Sequence, residues 1–355
     1  MLGRMNRSAE PVRPRFRAPA VLALALIAAM AIAGCGGSSN KAAGDNTPQS
    51  QKTAGGTTLT TYSPLTGLVQ TGASPTHPVM IVKIDNTYAS DPQEGIGHAD
   101  MIVQELVEGG ITRLAAMFYS QLPPVAGPVR SARASDIGVV KPTRAVLIAS
   151  GMAPPTVARL NAAGVHYYTM GAPGVYRYAN DPQHDYLHSV FVKLAVLAKS
   201  LPKETTPPAP YLPWGTESDW TGVSAARTVN VHFSNASSSL FKYNAATKKY
   251  VNTNSYAAKN DQFKPDSVLV LRVREGDAGY RDPAGNPVPE TLFYGTGGLV
   301  LFHDGQAIRG TWSKADRDSP LQLMTAAGPL KVPAGHVWLE LLPRDTQGGK
   351  LTFGR

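Results

Sequence analysis

MIVQELVEGGITRLAAMFYS, residues 101–120, holds two apolar runs on either side of Glu108-Gly109-Gly110. Two such runs about a Gly-Gly break predict an antiparallel hairpin. Upstream, HPVMIVKIDN (77–86) carries Val79 to Ile84 and ends on Asp85-Asn86, which predicts a buried strand. Downstream, RAVLIASG (144–151) and VHYYTM (165–170) predict further strands. Between them PPTVARLNAAG (154–164) opens on Pro and closes on Gly, the signature of a helix. SVFVKLAVLAKSL (189–201) shows helical spacing at Val190, Leu194, Leu197 and Leu201. Strands alternating with helices around a hairpin predict an α/β domain with a mixed sheet over residues 62–205.

The pattern then changes. LPKETTPPAPYLPWGTESDWTG (201–222) is rich in Pro and polar residues and predicts a linker over 206–222. Short strands and turns follow over 223–345, as in TVNVHFS, DSVLVLRVRE and HVWLELLP. His303-Asp304-Gly305-Gln306 is a hairpin turn signal. The expected class is therefore α+β: the mixed-sheet domain, then a smaller β-rich domain, then a C-terminal tail over 346–355.

The N-terminus predicts export. Arg4, Arg7, Arg13, Arg15 and Arg17 precede an apolar run from Ala20 to Ala33. That run is short of the ~20 residues a spanning helix needs, so residues 1–34 read as a cleavable signal. Ile32-Ala33-Gly34-Cys35 has the form of a bacterial lipobox, and Cys35 is the only cysteine in 355 residues. Diacylglycerol on the thiol would supply the two chains stable anchoring requires, and the freed amine can take a third, such as palmitate. The expected location is the extracytoplasmic face of the cell membrane. Residues 35–61 have almost no large apolar residue and predict a disordered tether, spanning about 28 Å r.m.s..

The net charge of +9 includes those five arginines and Glu10; without them it is +5. A mildly basic surface protein feels anionic lipids and wall polymers, while the mature chain has no dense Lys/Arg run to suggest nucleic acid. No G-x-S-x-G, H-E-x-x-H, Walker A or complete G-x-G-x-x-G occurs. Ser239-Leu240-Phe241-Lys242 matches S-x-x-K without its partner elements, and reads as chance. His184-Asp185-Tyr186-Leu187-His188 could place two imidazoles on one helix face for a metal, but it follows a turn at Asn180-Asp181-Pro182. A hydrogen-bonding His184 in a polar loop is the expectation, and no metal, cofactor or catalytic residue is assigned.

The richest constellation comprises Asp85 and Asn86 at a strand end, Glu105 and Glu108 along the hairpin, Arg113 beyond its turn, and Arg130 and Arg133 in GPVRSARASD (127–136). Polar residues at strand ends are where sites on mixed sheets gather, and Arg suits the bidentate grip of carboxylate or phosphate. With His184 these residues form the candidate ligand site. Arg130 and Arg133 are expected to face ligand and Arg113 to pair with Glu105 or Glu108. The bland reading has all the arginines paired with Glu105, Glu108 and Asp136.

SPLTG (63–67), PVMIVKIDN (78–86), ADMIVQELVEGGITRLAAMFYS (99–120) and GPVRSARASD resemble the opening half of the YerB-type bacterial lipoproteins. SLFKYNAATKKY (239–250) and the segment from Gly297 to Pro343 resemble their closing half. The resemblance implies a two-part, surface-anchored bacterial protein and names no activity. His184-Asp185 departs from the His-Asn such proteins carry there. The expected function is a non-enzymatic binding or scaffold protein of the envelope. Its partners would be the membrane, through lipid on Cys35, and an anionic envelope polymer or another envelope protein. The alternative is an envelope hydrolase or transferase using paired carboxylates with an arginine clamp.

Overall fold

The computed structural model describes residues 61–355. The signal, the lipobox with Cys35 and nearly all of the tether lie outside the described residues. In chain order the first part holds β1 (Met80–Asp85), β2 (Met101–Leu106), β3 (Thr112–Phe118), α1 (Asp136–Val140), β4 (Val146–Ile148), α2 (Pro154–Ala162), β5 (Tyr167–Tyr168), β6 (Val175–Arg177), β7 (Val190–Val192) and α3 (Leu194–Ser200). The remainder holds β8 (Trp214–Gly215), β9 (Ser224–Ala225), β10 (Thr228–Ser234), β11 (Ser237–Asn244), β12 (Lys249–Asn252), β13 (Ser267–Arg281) and β14 (Pro287–Leu292). It ends with β15 (Gly295–His303), β16 (Gln306–Lys314), β17 (Gln322–Thr325), β18 (Gly328–Pro329), β19 (Val332–Pro333), β20 (Val337–Pro343) and β21 (Lys350–Gly354).

The hairpin is formed as its residues dictate. β2 and β3 pair antiparallel from Met101↔Met117 to Leu106↔Thr112. Gly109 and Gly110 turn the chain at φ 70° and 74°, a region side chains disfavour. β1 completes the unit against β3, and β4 lies parallel to β1. The Asp304-Gly305 turn joins β15 and β16, with φ 47° and 70° fitting a two-residue hairpin whose twist suits the strands.

The large sheet crosses the whole chain. Its order is β18-β17-β16-β15-β13-β20-β2-β3-β1-β4-β5, with β14 added to β13 and β9 to β16. β20, from near the C-terminus, lies parallel between β2 and β13. The mixed sheet is as expected, but strands dominate, and the helices of the first part are short. SVFVKLAVLAKSL shows why. Val190–Val192 is taken into β7, because the Val190 and Val192 carbonyls accept from Val129 and Ala126 and β6 pairs on the other side. Only Leu194–Ser200 remains for the helix.

Two boundaries are corrected. The expected linker 206–222 is packed in: Tyr211 and Leu212 are buried in a core shared with Leu269, Leu301 and Leu339, and β8 pairs with β19. Its prolines interrupt strands without excluding the apolar residues between them. The expected tail contains β21, an edge strand antiparallel to β10.

Both faces of the large sheet are covered, which is why its central strands read as unbroken apolar runs. One face packs Ile81, Val103, Met117, Leu271 and Leu339 against Ile137 and Val140 of α1 and Leu160 of α2. The other packs Val82, Ile102, Val270 and Trp338 against Leu194 and Leu197 of α3 and against the second sheet, β12-β11-β10-β21, through Val231, Phe233 and Phe241. Pairing directions make β1, β2, β4, β20 and the first part of β13 run the same way. Their carboxyl ends share one edge, where sites on open sheets form.

Candidate functional site

Asp85, Glu105 and Arg113 are brought together by register alone, since Arg113 lies opposite both Asp85 and Glu105. Side chains alternate between faces, so Lys83, Asp85, Glu105 and Arg113 share the face of Ile81, Val103 and Ala115.

The deepest part centres on Lys83, absent from the sequence expectation. Its Nζ lies 2.7 Å from Glu105 and 2.8 Å from Asp136, and all three are buried. Burial would lower the ammonium's pKa, but the two carboxylates outweigh it and hold it above its ordinary value. Glu105 is raised, chiefly by burial and also by Asp136, against the pull of Lys83. Asp136 also accepts from the Arg133 amide at 2.7 Å, which fixes the loop to the start of α1.

The second group centres on Glu108. Arg133 grips it with two donors, Nε at 2.8 Å and a second, closer terminal nitrogen. Arg113 approaches the same carboxylate at 3.3 Å and donates to the Ser131 carbonyl at 2.6 Å. Burial pushes Glu108 up, but the Arg133 hydrogen bond and the two cations leave its pKa below the ordinary value. Arg113 is pulled down to about 10, first by burial and then by Arg133. The expected pairing of Arg113 with Glu105 or Glu108 is resolved in favour of Glu108. Arg133, expected to face ligand, is instead buried and engaged by Glu108.

The third group reaches the surface. Asp85 accepts from the Thr87 amide at 2.8 Å on one oxygen. The other lies 3.0 Å from Arg130 Nε and 3.8 Å from His188 Nε2. The Arg130 side chain is 21% exposed and donates to the Leu187 carbonyl at 2.8 Å. His188 is held at Nδ1 by Asp185, 2.8 Å away, on a short turn over Tyr186–His188. On the same turn Tyr186 is 72% exposed, its ring 3.7 Å under the Arg177 guanidinium, and Tyr88, three residues after Asp85, is 80% exposed. Asn86 points away from the rim, donating to Thr112 Oγ1 at 2.9 Å and tying β1 to β3.

His184 and His188 do not converge. His184 pairs with Asp181 at 2.8 Å and contacts the Pro92 carbonyl at 3.2 Å. Among the described residues no group of three or more His, Cys, Asp or Glu side chains is placed to hold a metal. Ser239 and Lys242 lie three apart on β11, and Ser239 is buried on Gln104, at 3.1 Å, while Lys242 is exposed. Ser267, His303 and Glu217 do form a hydroxyl–imidazole–carboxylate chain, at 2.9 and 3.0 Å. Its polarity is inverted for catalysis: the hydroxyl is fully buried and the carboxylate is exposed, so it clamps residues 216–220 to the sheet.

On the opposite face Glu340 of β20 lies opposite Gln104 in register and is fully buried. Neither oxygen has a hydrogen-bond partner among the described residues. The nearby donors Ser239 and Trp338 instead engage Gln104 Oε1, each at 3.1 Å. Burial pushes the Glu340 carboxyl up to about 8. A lone acid within VWLELLP, and a lone lysine within VMIVKIDN, were the available signals for Glu340 and Lys83. His188 carried a weaker one, four residues from His184.

Two family models match this chain: protein of unknown function (DUF3048) N-terminal domain over residues 65–207, and its C-terminal domain over 229–339. The chain is 26% identical over 306 residues to "Putative lipoprotein YerB" of Bacillus subtilis, covering 82% of this chain and 89% of that one. It is also similar to the crystal structure of the YerB protein from Bacillus subtilis, with a TM-score of 0.67 and 19% identity, covering 82% of this chain and 99% of that one. No helix among the described residues is long and apolar enough to cross a membrane. The chain belongs to the YerB-type family, and the hairpin and arginine loop that carry its charged cluster fall within the first family region.

Proposed function

We propose that this chain is a membrane-attached envelope lipoprotein acting as a non-enzymatic binding or scaffold protein, with its recognition rim around Arg130 and His188. The YerB relative's name supports the lipoprotein reading, and the lipobox at Cys35 agrees with it. The observation that carries the binding reading is the closure of the cluster. Asp85, Glu105 and Asp136 are each within 1% of full burial and lie against Lys83 or Arg130. An acid–base pair working on a glycosidic bond needs its two carboxyls open to substrate. Arg130 alone of the three arginines retains appreciable exposure. A part-exposed guanidinium suits an anionic polymer or a protein surface.

The test is capture from detergent-solubilised envelope with the full chain and its Arg130→Ala and His188→Ala variants. Loss of the captured component in both, with both variants still folded under the capture conditions, supports the rim. Equal capture by all three proteins sinks it. Detergent partitioning of the wild type but not of Cys35→Ser checks the lipid anchor.

A further inference from the structure

We propose that a cleft at the fork of the large sheet is a second site, sharing no residue with the Arg130 rim, which binds a phosphate-type oxyanion carried on a small hydroxylated group. The fork is a matter of register. β13 pairs with β15 only as far as Leu271↔Leu299, then turns to β14 from Arg274↔Leu292. The first residues of β15, Gly295 to Gly298, stay with β16. A cleft of about 600 Å³ opens between the departing strands, lined by Arg272, Arg344, Thr296, Thr311, Thr346 and Gly298. The groove is open to solvent, since Thr296, Gly298, Thr311, Arg344 and Thr346 are all exposed, so it can receive the headgroup of a larger molecule as well as a free one.

The lining selects the ligand's chemistry. Arg272 and Arg344 supply guanidinium forks, the groups that grip phosphate best, and the threonines offer hydroxyls. Burial pulls the Arg272 pKa down, Asp345 opposes this, and the nearby Arg309 adds to the lowering, so Arg309 contributes to the positive field. The guanidiniums are preorganised: Arg272 donates to the Pro343 carbonyl at 3.1 Å and Arg344 to the Thr296 carbonyl at 3.0 Å. Gly298 keeps the floor open, while Gly297 lets the strand sit close on the Trp312 side. A Cβ on Gly297 would fall 2.1 Å from the Arg272 carbonyl oxygen, whereas one on Gly298 would meet nothing nearer than Arg272 Cγ at 3.9 Å. The one opposing group is Asp345, paired with Arg272 at 2.7 Å but 79% exposed, and so free to swing away when an anion enters.

The experiment is calorimetric titration of the detergent-solubilised full chain with inorganic phosphate and glycerol phosphate, and of the Cys35→Ser full chain without detergent with phosphatidylglycerol vesicles. Saturable binding is expected for glycerol phosphate, for the vesicles, or for both; which of them binds identifies a soluble or a lipid source. Arg344→Ala, at an exposed position, is expected to weaken binding about tenfold or more. Asp345→Asn is expected to tighten it, and Gly298→Leu to abolish it by filling the cleft with the fold intact. Absence of saturable binding to any probe overturns the site, as does binding that all three variants leave unchanged.

Discussion

Lys83 sets the energetics at the residue scale, because one ammonium serves two buried carboxylates. Replacing it with Met strands both, and the expected loss is about 3–5 kcal/mol in denaturant unfolding. A double variant that also replaces Glu105 with Gln is expected to recover part of that loss. Glu340 gives a sign-specific prediction. Its carboxyl is raised from 4.5 to about 8, so between those values the folded chain keeps a proton that the unfolded chain has released. Its contribution is fully present below the lower value and is lost as pH rises through the higher. Stability should fall by up to about 1.4 kcal/mol per pH unit across that window. Glu340→Gln should remove that component of the slope, and an unchanged slope would mean the carboxyl ionises normally. The sequence showed neither residue's role. A charge inside an apolar run can be a solvated edge position or a buried one, and only pairing with strands far along the chain distinguishes them.

Local signals were most legible at the scale of elements. The Glu108-Gly109-Gly110 turn, the Asp304-Gly305 turn and the Pro-started helix α2 formed where their residues required. SVFVKLAVLAKSL was misread because apolar spacing satisfied a helix while backbone partners at Ala126 and Val129 drew its first residues into a strand. The hairpin turn offers a graded test. Gly109→Ala meets no atom within 4 Å and should cost about 1 kcal/mol through its positive φ alone. Gly110→Ala adds a methyl 2.9 Å from Ser234 Oγ, on the strand that packs beside it, and should cost about 2–3 kcal/mol. Equal losses in thermal unfolding would show that the turn is not held against β10.

For the molecule as a whole, the distribution of long-range pairing was hidden from the sequence. Composition marked 206–222 as a break, yet β20 inserts between β2 and β13 and joins the two family-matched regions in one sheet. Limited proteolysis should therefore spare the stretch around Tyr211 and Leu212, and rapid cutting there would show that the shared core is absent. The charged cluster was legible as a set of residues but not as a division of labour, because membership follows from position while exposure follows from packing. That division is the central claim: Arg113 and Arg133 hold the fold, and Arg130 serves its rim. Equilibrium unfolding of the three single Arg→Ala variants tests it most directly. Arg113→Ala and Arg133→Ala should each lose about 3–5 kcal/mol, because Glu108 is left with half its compensation. Arg130→Ala should lose less, about 2 kcal/mol, since buried Asp85 keeps its Thr87 contacts on one oxygen and has His188 3.8 Å from the other. A loss from Arg130→Ala as large as the other two, or small losses from all three, would contradict it.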